Sequence, residues 1–434
     1  MEKEFDVEEK IDLPLNTVKH PVDEYVIVLA PLFPNWIVLD MKEMSLYTSL
    51  EKGLTIIQAM DKYVIQTKCE DEEVIEIMTS LLSKIDDTSF YNVSGFRVEE
   101  PIENIQKLVH VNLTNNCNLR CMHCYMAAGK SKEIYLEIDK IVKIIESINR
   151  KNGTSDIVVS GGEPFMFPEL LELLKRISDN KITLFTNGTL INENNYKSIC
   201  KYCDEVQISF EGISEECYEI VRGKGNYKRV IKAIDLLKSE DIRIILAVTL
   251  LPTMLDDVRR NLPRFVEELN YKNLEVRINN EIELTGNATA MDFSGYDKHF
   301  SDAVILELMQ SIKASGAVAE FHGERNVRFT NCGIGANIVI NYDGRVYPCH
   351  KFNTPFCFDI DTNIDKIYEE FDEINRKTSN DFIKKCSSCE LRYVCAGGCR
   401  IDNLNQNGDM MIPVCDADYK EKQYRKLLYE YLRG

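Results

Sequence analysis

Three thiols stand close together in "CNLRCMHCY", at Cys117, Cys121 and Cys124, in a C-x₃-C-x₂-C spacing. Thiolates so grouped are metal or cluster ligands, yet three is an awkward number. A closed tetrahedral zinc site takes four ligands, and so does a four-iron cluster held entirely by protein. Three ligands leave one position open. A four-iron cubane held by three cysteines keeps one iron free to chelate a small molecule and pass it one electron.

A second group holds seven thiols: Cys332, Cys349, Cys386, Cys389, Cys395, Cys399 and Cys415. They read C-x₁₁-G-x₄-C, a gap, C-x₂-C-x₅-C-x₃-C, another gap, and C, with Gly344 as the glycine. On spacing alone the middle stretch suits a zinc ribbon, but seven thiols do not divide into whole four-cysteine sites. The other five of the fifteen cysteines, Cys69, Cys200, Cys203, Cys217 and Cys357, form no pattern as a whole. Cys200 and Cys203 are a C-x₂-C pair near the end of a predicted helix and read as small core residues.

The elements that must position these thiols are legible in outline. "LVHVNLT" predicts a strand running into the first cysteine loop, and ligands in parallel α/β folds bind beyond the strands' carboxyl ends. "LEIDKIVKIIESINR" then predicts a helix, "DIVVSGGEP" a strand with a Gly-rich end, and "PELLELLKRI" a helix. "KITLFTNGT", "EVQISFEG" and "RIILAVTLL" predict strands, the last two separated by the helix "YKRVIKAIDLLK". The helix "DDVRRNLPRFVEEL" and the strand "NLEVRINN" close the series. About six β/α units in a row argue for parallel strands covered by helices. Eight would complete a barrel, so the expected fold is α/β, an open, partial (β/α)₆ TIM-like barrel. A helix near 296–315 follows, then a hairpin in "NIVINYDGRVYPC" with a "DG" turn, and a closing amphipathic helix in "YKEKQYRKLLYEYL". Ahead of the barrel, "EYVIVLAPLFPNWIVLD" predicts two short strands and residues near 54–62 and 72–85 predict helices, a small α+β module with Trp36 in its core. The expected domains are 1–100, 105–320 and 325–434.

At 434 residues with 44% hydrophobic and 28% charged residues, the chain has ample material for packed cores. Its net charge of −18 argues against a nucleic-acid binder, which would present clustered cations. No apolar run reaches membrane-spanning length, and the acidic start "MEKEFDVEEK" is unlike a signal peptide. The expectation is a cytoplasmic protein whose thiols stay reduced and bind metal or clusters, with no nucleic-acid or membrane partner.

"CNLRCMHCY" resembles the signature of radical S-adenosylmethionine (SAM) enzymes, C-x₃-C-x-Φ-C, with His123 where an aromatic usually stands. The resemblance runs over roughly 105–290 and includes "SGGEP" and "SFEG". It implies that the open iron binds SAM's amino and carboxylate groups. One electron then cleaves the sulfonium, releasing a 5′-deoxyadenosyl radical that takes a hydrogen from substrate; the chemistry is the cofactor's. By the same resemblance Gly161, Gly162 and Glu163 would meet the methionine ammonium, and Ser209 the ribose or carboxylate. Arg222 in "IVRGKG" would pair with that carboxylate, Asn187 in "TNGT" is a further contact, and His123 would face the cluster or adenine.

The second cysteine group resembles the SPASM domain, which holds two auxiliary four-iron clusters in many peptide-modifying radical SAM enzymes. That implies three [4Fe-4S] clusters in all. Cys386, Cys389, Cys395 and Cys415 would ligate the outer auxiliary cluster, and Cys332, Cys349 and Cys399 the inner one, with its fourth site open or filled by another group such as Cys357. Sulfatase-maturing relatives carry a further Cys six residues after the first; Ile338 stands there, which counts against that activity. The amino-terminal module resembles, in arrangement alone, the winged-helix-like domain with which peptide maturases capture a leader peptide by strand addition. The implied function is a maturase of a ribosomally made precursor peptide, resembling thioether-forming sactipeptide and ranthipeptide synthases, fed by an electron donor such as flavodoxin or ferredoxin. Carbon–carbon crosslinking, a haem- or cofactor-forming radical SAM enzyme, and a zinc-holding structural protein are the alternatives.

Overall fold

The computed structural model describes residues 6–92, 108–129, 132–280, 282, 285–291, 298–313, 317, 325–351 and 356–433. By its internal contacts the chain forms two units. One joins residues 1–104 with 321–332 and 375–434; the other joins 105–320 with 333–374. The domain boundaries expected at 100/105 and 320/325 fall at segments outside the described residues.

The first unit begins with three strands, β1 (Val18–Val22), β2 (Tyr25–Ala30) and β3 (Asn35–Leu39), paired antiparallel in that order. β1 is an addition to the two expected strands. Helices Met41–Glu51, Ile56–Thr67 and Asp71–Asp87 follow, the first of them also unforeseen. β2 and β3 read as unbroken apolar runs because both faces are buried. Val28, Ile37 and Leu39 pack with Leu46, Tyr47 and Leu81 of the helices. Ile27, Leu29, Trp36 and Val38 point the other way, onto Tyr424, Leu427 and Leu428 of the closing helix Ala417–Arg433. The single tryptophan, Trp36, therefore reports on this second layer. Replacing the fully buried Leu428 by alanine is expected to cost about 2–5 kcal/mol, read as an earlier urea transition in Trp36 fluorescence.

The second unit is the expected partial barrel. β4 (Leu108–Asn112), β5 (Asp156–Ser160), β6 (Lys181–Thr186), β7 (Glu205–Ser209), β8 (Arg243–Thr249) and β9 (Leu274–Asn279) lie parallel in chain order. The expected hairpin forms too, from β10 (Ile338–Ile340) and β11 (Arg345–Tyr347), with Gly344 at φ +77° in its turn. It joins the same sheet: β10 runs parallel beside β4, and β12 (Phe358–Asp359) adds the far edge. Among the described residues the nine-stranded order β12-β11-β10-β4-β5-β6-β7-β8-β9 leaves β12 and β9 as edges that do not pair with each other.

Period-two alternation splits each parallel strand between two environments. Val109, Val111, Ile157, Val159, Leu184, Val206, Ile208 and Leu246 share one core with Ile141 and Ile145 of helix Ile138–Asn152, Leu173, and Val230 and Ile234 of helix Tyr227–Lys238. The alternate residues carry polar chemistry. Glu205 stands 3.5 Å from Lys181 and 3.7 Å from Arg243, and Glu275 stands 2.5 Å from both Arg243 and Arg277. Cys203 is buried and Cys200 packs against the same core, as expected of small apolar residues.

Candidate active site at the carboxyl ends of the parallel strands

β4 delivers the chain into Leu113–Asn116 and then the cysteine loop. The segment after β5 is stitched to that entry: the Gly162 amide donates to the Thr114 carbonyl at 2.7 Å and the Glu163 amide to the Asn116 carbonyl at 2.8 Å. Gly161 sits at φ +133°, and a Cβ on Gly162 would lie 2.2 Å from the Asn116 oxygen. Any larger residue at 162 would push the backbone that leads to Cys117. The two glycines thus serve this backbone-to-backbone approach.

Glu163 is fully buried. Its carboxylate accepts from Thr186 Oγ1 at 2.7 Å, the Asn187 amide at 2.8 Å and the Phe165 amide at 3.3 Å. Burial raises its pKa and the Asn187 amide opposes the rise. The side chain is a brace between the ends of β5 and β6. Asn187 carries the brace onward, donating from Nδ2 to Asn118 Oδ1 at 2.9 Å and toward Cys117 Sγ at 3.9 Å. The Leu119 amide also donates to Cys117 Sγ, at 3.4 Å. Burial pushes the Cys117 thiol up to about 11 and the Cys121 thiol up as well, Arg222 opposing the latter.

Ser209 ends β7, in register with Ala247 of β8, itself opposite Arg277 of β9. Two residues on, Glu211 forms an ion pair that the sequence reading missed. Helix Glu215–Arg222, capped by Ser214, presents Arg222 at its last turn. Arg222 donates from Nε and, at 2.7 Å, from Nη2 to the two Glu211 oxygens. His123 Nε2 lies 3.5 Å from Glu211 Oε1. Burial alone would raise the Glu211 carboxyl, but the Arg222 guanidinium, helped by His123, holds it well below the usual carboxylate range. The arrangement is a bidentate, charge-assisted pair in a desolvated place. His123 Nδ1, on the other side of the ring, is buried with no hydrogen-bond partner among the described residues.

A third wall was also unforeseen. After β9, the short helical turn Gly286–Ala290 lies against the cysteine loop. The Asn287 amide donates to the Cys124 carbonyl at 2.8 Å and its Nδ2 to the Cys121 carbonyl at 2.9 Å. Thr285 Oγ1 donates to the Tyr125 carbonyl at 3.2 Å. The signal was present as "TGNA" a few residues beyond a strand's carboxyl end, where ligand loops lie.

In the first unit, Cys386, Cys389, Cys395 and Cys415 stand within electrostatic reach of one another; burial, helped by the neighbouring thiols, raises the pKa of Cys386, Cys395 and Cys415. Beside them Arg400 is completely buried. Its guanidinium donates to the carbonyls of Thr378 (2.6 Å), Gly398 (2.6 Å) and Ala396 (2.9 Å). Burial lowers its pKa, and the neighbouring Cys332, Cys386, Cys395 and Cys399 thiols oppose that. A buried cation with thiols beside it suits an anionic thiolate or cluster site. Cys349 belongs to the other unit, just after β11, and Arg345 Nη1 lies 3.2 Å from Cys357 Sγ. Among the described residues no three His, Cys, Asp or Glu side chains converge as around a single metal ion.

Residues 111–266 match the Radical SAM superfamily, so the chain carries that domain. That family implies SAM and one [4Fe-4S] cluster. The protein groups present fit such a group, with two N–H donors on Cys117 Sγ, a guanidinium near Cys121 and an orphaned His123 nitrogen. Among relatives, the chain is 26% identical over 317 residues to the antilisterial bacteriocin subtilosin biosynthesis protein AlbA of Bacillus subtilis, covering 68% of this chain and 67% of that one. It is 25% identical over 302 residues to the 7,8-dihydro-6-hydroxymethylpterin dimethyltransferase of Methanocaldococcus jannaschii, covering 63% and 58%. In fold it is similar to Streptococcus suis SuiB bound to its precursor peptide SuiA, with TM-score 0.60, 14% identity, and 94% and 99% of the chains covered. It is similar also to anSMEcpe with bound AdoMet, with TM-score 0.55, 19% identity, and 75% and 96% covered. No helix among the described residues is long and apolar enough to cross a membrane.

Proposed function

We propose that this protein matures a ribosomally made precursor peptide, installing a crosslink, with a thioether from a peptide cysteine as the first expectation. The observation that carries the reading is the joining, in one chain, of an open three-thiol loop with a second thiol group gathered round the buried Arg400. Similarity to a bacteriocin biosynthesis protein and to a fold that holds a precursor peptide supports it.

In this reading Cys117, Cys121 and Cys124 hold the SAM-binding cluster, which with SAM supplies hydrogen-atom abstraction from the peptide. Glu163 and Asn187 keep the loop in place. Arg222 has two of its three nitrogens engaged by Glu211, so Nη1 remains for the cofactor's carboxylate, beside Ser209. Gly161 and Gly162 give the close packing that fixes the loop's entry, and His123 lies between Glu211 and the cluster. A SPASM-type domain holds two auxiliary clusters, the outer on Cys386, Cys389, Cys395 and Cys415, the inner on Cys332, Cys349 and Cys399. The amino-terminal sheet takes the leader peptide, and a cytoplasmic flavodoxin or ferredoxin supplies electrons.

Anaerobic reconstitution with iron and sulfide analysis and a SAM-cleavage assay tests this. About twelve irons per chain are expected from three four-iron clusters, with reductive release of 5′-deoxyadenosine. About four irons plus zinc would remove the auxiliary clusters and the maturase reading with them. The pterin-directed relative supports a second reading, a cofactor-forming enzyme. A co-expressed Cys-containing peptide that loses two hydrogens per bond separates the two.

A further inference from the structure

The three-stranded sheet of the first unit has two edges, and they differ in what they offer a neighbour. β1 carries Pro21, which has no backbone N–H. β3 contains no proline, yet its outer side is already occupied. The Trp36 amide donates to Asn35 Oδ1 at 2.8 Å, and the Trp36 carbonyl accepts from Arg325 Nη1. The Arg325 guanidinium also stands 4.2 Å from the centre of the Trp36 ring. Two residues on, the Val38 carbonyl accepts from Lys84 Nζ at 3.2 Å. Just ahead of the strand, the Asn326 amide donates to the Pro34 carbonyl at 3.0 Å. Arg328 donates from Nε and Nη2 to the Leu32 carbonyl, at 2.9 and 2.8 Å. Residues 325–328 thus cover the edge on which another strand would pair.

We propose that residues 325–328 are a removable cover on β3, an internal contact that an incoming leader strand must displace. The inference rests on the reading in which this sheet takes the leader peptide. Strand addition uses the outward backbone groups of the edge strand, and at Trp36 and Val38 those carbonyls are held by Arg325 and Lys84. The cover holds mainly by side chains, so it can leave without breaking the β2–β3 ladder. Arg325 is its weak point, because burial disfavours the cation and lowers its pKa to about 10, Glu430 opposing. Lys84 loses little on release, since it stays paired with the buried Glu43 at 2.6 Å. Beyond the cover the chain is fastened again. The Phe329 amide donates to the Tyr393 carbonyl at 3.2 Å, and Asn380 holds the Phe329 and Thr330 carbonyls at 3.0 and 2.7 Å. The cover can therefore swing from Phe329 while Cys332 stays in place.

Hydrogen exchange of the full chain, read by mass spectrometry, tests the cover without any ligand. Residues 325–328 are expected to exchange about a hundredfold faster than β2, because a removable contact opens well below the free energy of global unfolding. One common rate for the two would overturn the proposal and leave a permanent edge cap. Adding the co-expressed Cys-containing peptide should speed exchange in 325–328 and slow it in β3. Arg325→Ala combined with Arg328→Ala should bind that peptide about tenfold tighter, since the open fraction no longer limits binding. Weaker binding by this variant would overturn the cover, making the two guanidinium groups peptide contacts instead. Arg328→Ala alone should shift affinity in the same direction if the pair folds poorly. A peptide that binds neither wild type nor variant would overturn the leader reading beneath, whatever the exchange rates of the chain alone.

Discussion

Under the proposed function, reductive cleavage of SAM is expected to fall to the uncatalysed background when Cys117, Cys121 and Cys124 are replaced together by alanine, while iron is expected to fall only from about twelve to about eight atoms per chain. The expectation follows from how independently the loop is built. Its backbone is held by the Gly162 and Glu163 amides on one side and by Asn287 on the other, none of which uses a cysteine side chain. The thiols are only partly buried, so truncation removes ligands without opening a large cavity. Its cost should stay within about 1 kcal/mol per site, the ordinary range for small substitutions. The second thiol group lies outside the barrel strands, and the Arg400 bonds to the Thr378, Gly398 and Ala396 carbonyls beside it use no residue of the loop. Cleavage retained in the triple variant would sink the site assignment. Loss of nearly all iron would show instead that the second group holds no clusters of its own.

What the sequence disclosed, and what it hid, divides by the range of the interactions involved. The six parallel strands were legible because each is a short apolar run ending in a turn signal, and helix Tyr227–Lys238 because its apolar period has no interruption. β1 was hidden by Pro21, which is tolerated there because the strand is an edge. Helix Met41–Glu51 lacks a clear apolar face, yet its start was signalled by Asp40 and Glu43, which form a capping box. The DG hairpin was legible as a local turn, whereas its place beside β4 depends on a pairing more than two hundred residues long in sequence and could not be. In the site, ligand cysteines announce themselves by spacing. Positioning residues do not. Glu211 was within reach, since it follows Ser209 by two and so shares its side of the chain. Nothing in the sequence marks Arg400, whose burial beside thiols depends on long-range packing.

The Arg222–Glu211 pair is the place where one substitution should do the greatest damage to the barrel. Arg222→Leu removes both donors from a carboxylate that is only 2% exposed, leaving His123 Nε2 at 3.5 Å beside it. Breaking a buried pair from one side costs about 3–5 kcal/mol, or roughly 10 °C in the melting transition of a unit this size. The pH dependence should change sign as well. In the wild type the folded Glu211 pKa is lowered, so its contribution is present above the ordinary carboxyl pKa of about 4.3 and is lost as pH falls through the folded value. In Arg222→Leu burial is opposed by His123 and no longer by the guanidinium, so the folded pKa is expected to rise. The penalty then grows with pH once the unfolded carboxyl ionises, so the variant should melt further below wild type at pH 8 than at pH 5.5. Glu211→Leu combined with Arg222→Leu removes the stranded charge and should recover most of the loss, since an apolar pair of similar volume is often as stable as the ions it replaces. Thermal melts of the wild type and both variants at the two pH values give the comparison. A double variant no more stable than Arg222→Leu would mean that the guanidinium is held by packing and not by Glu211.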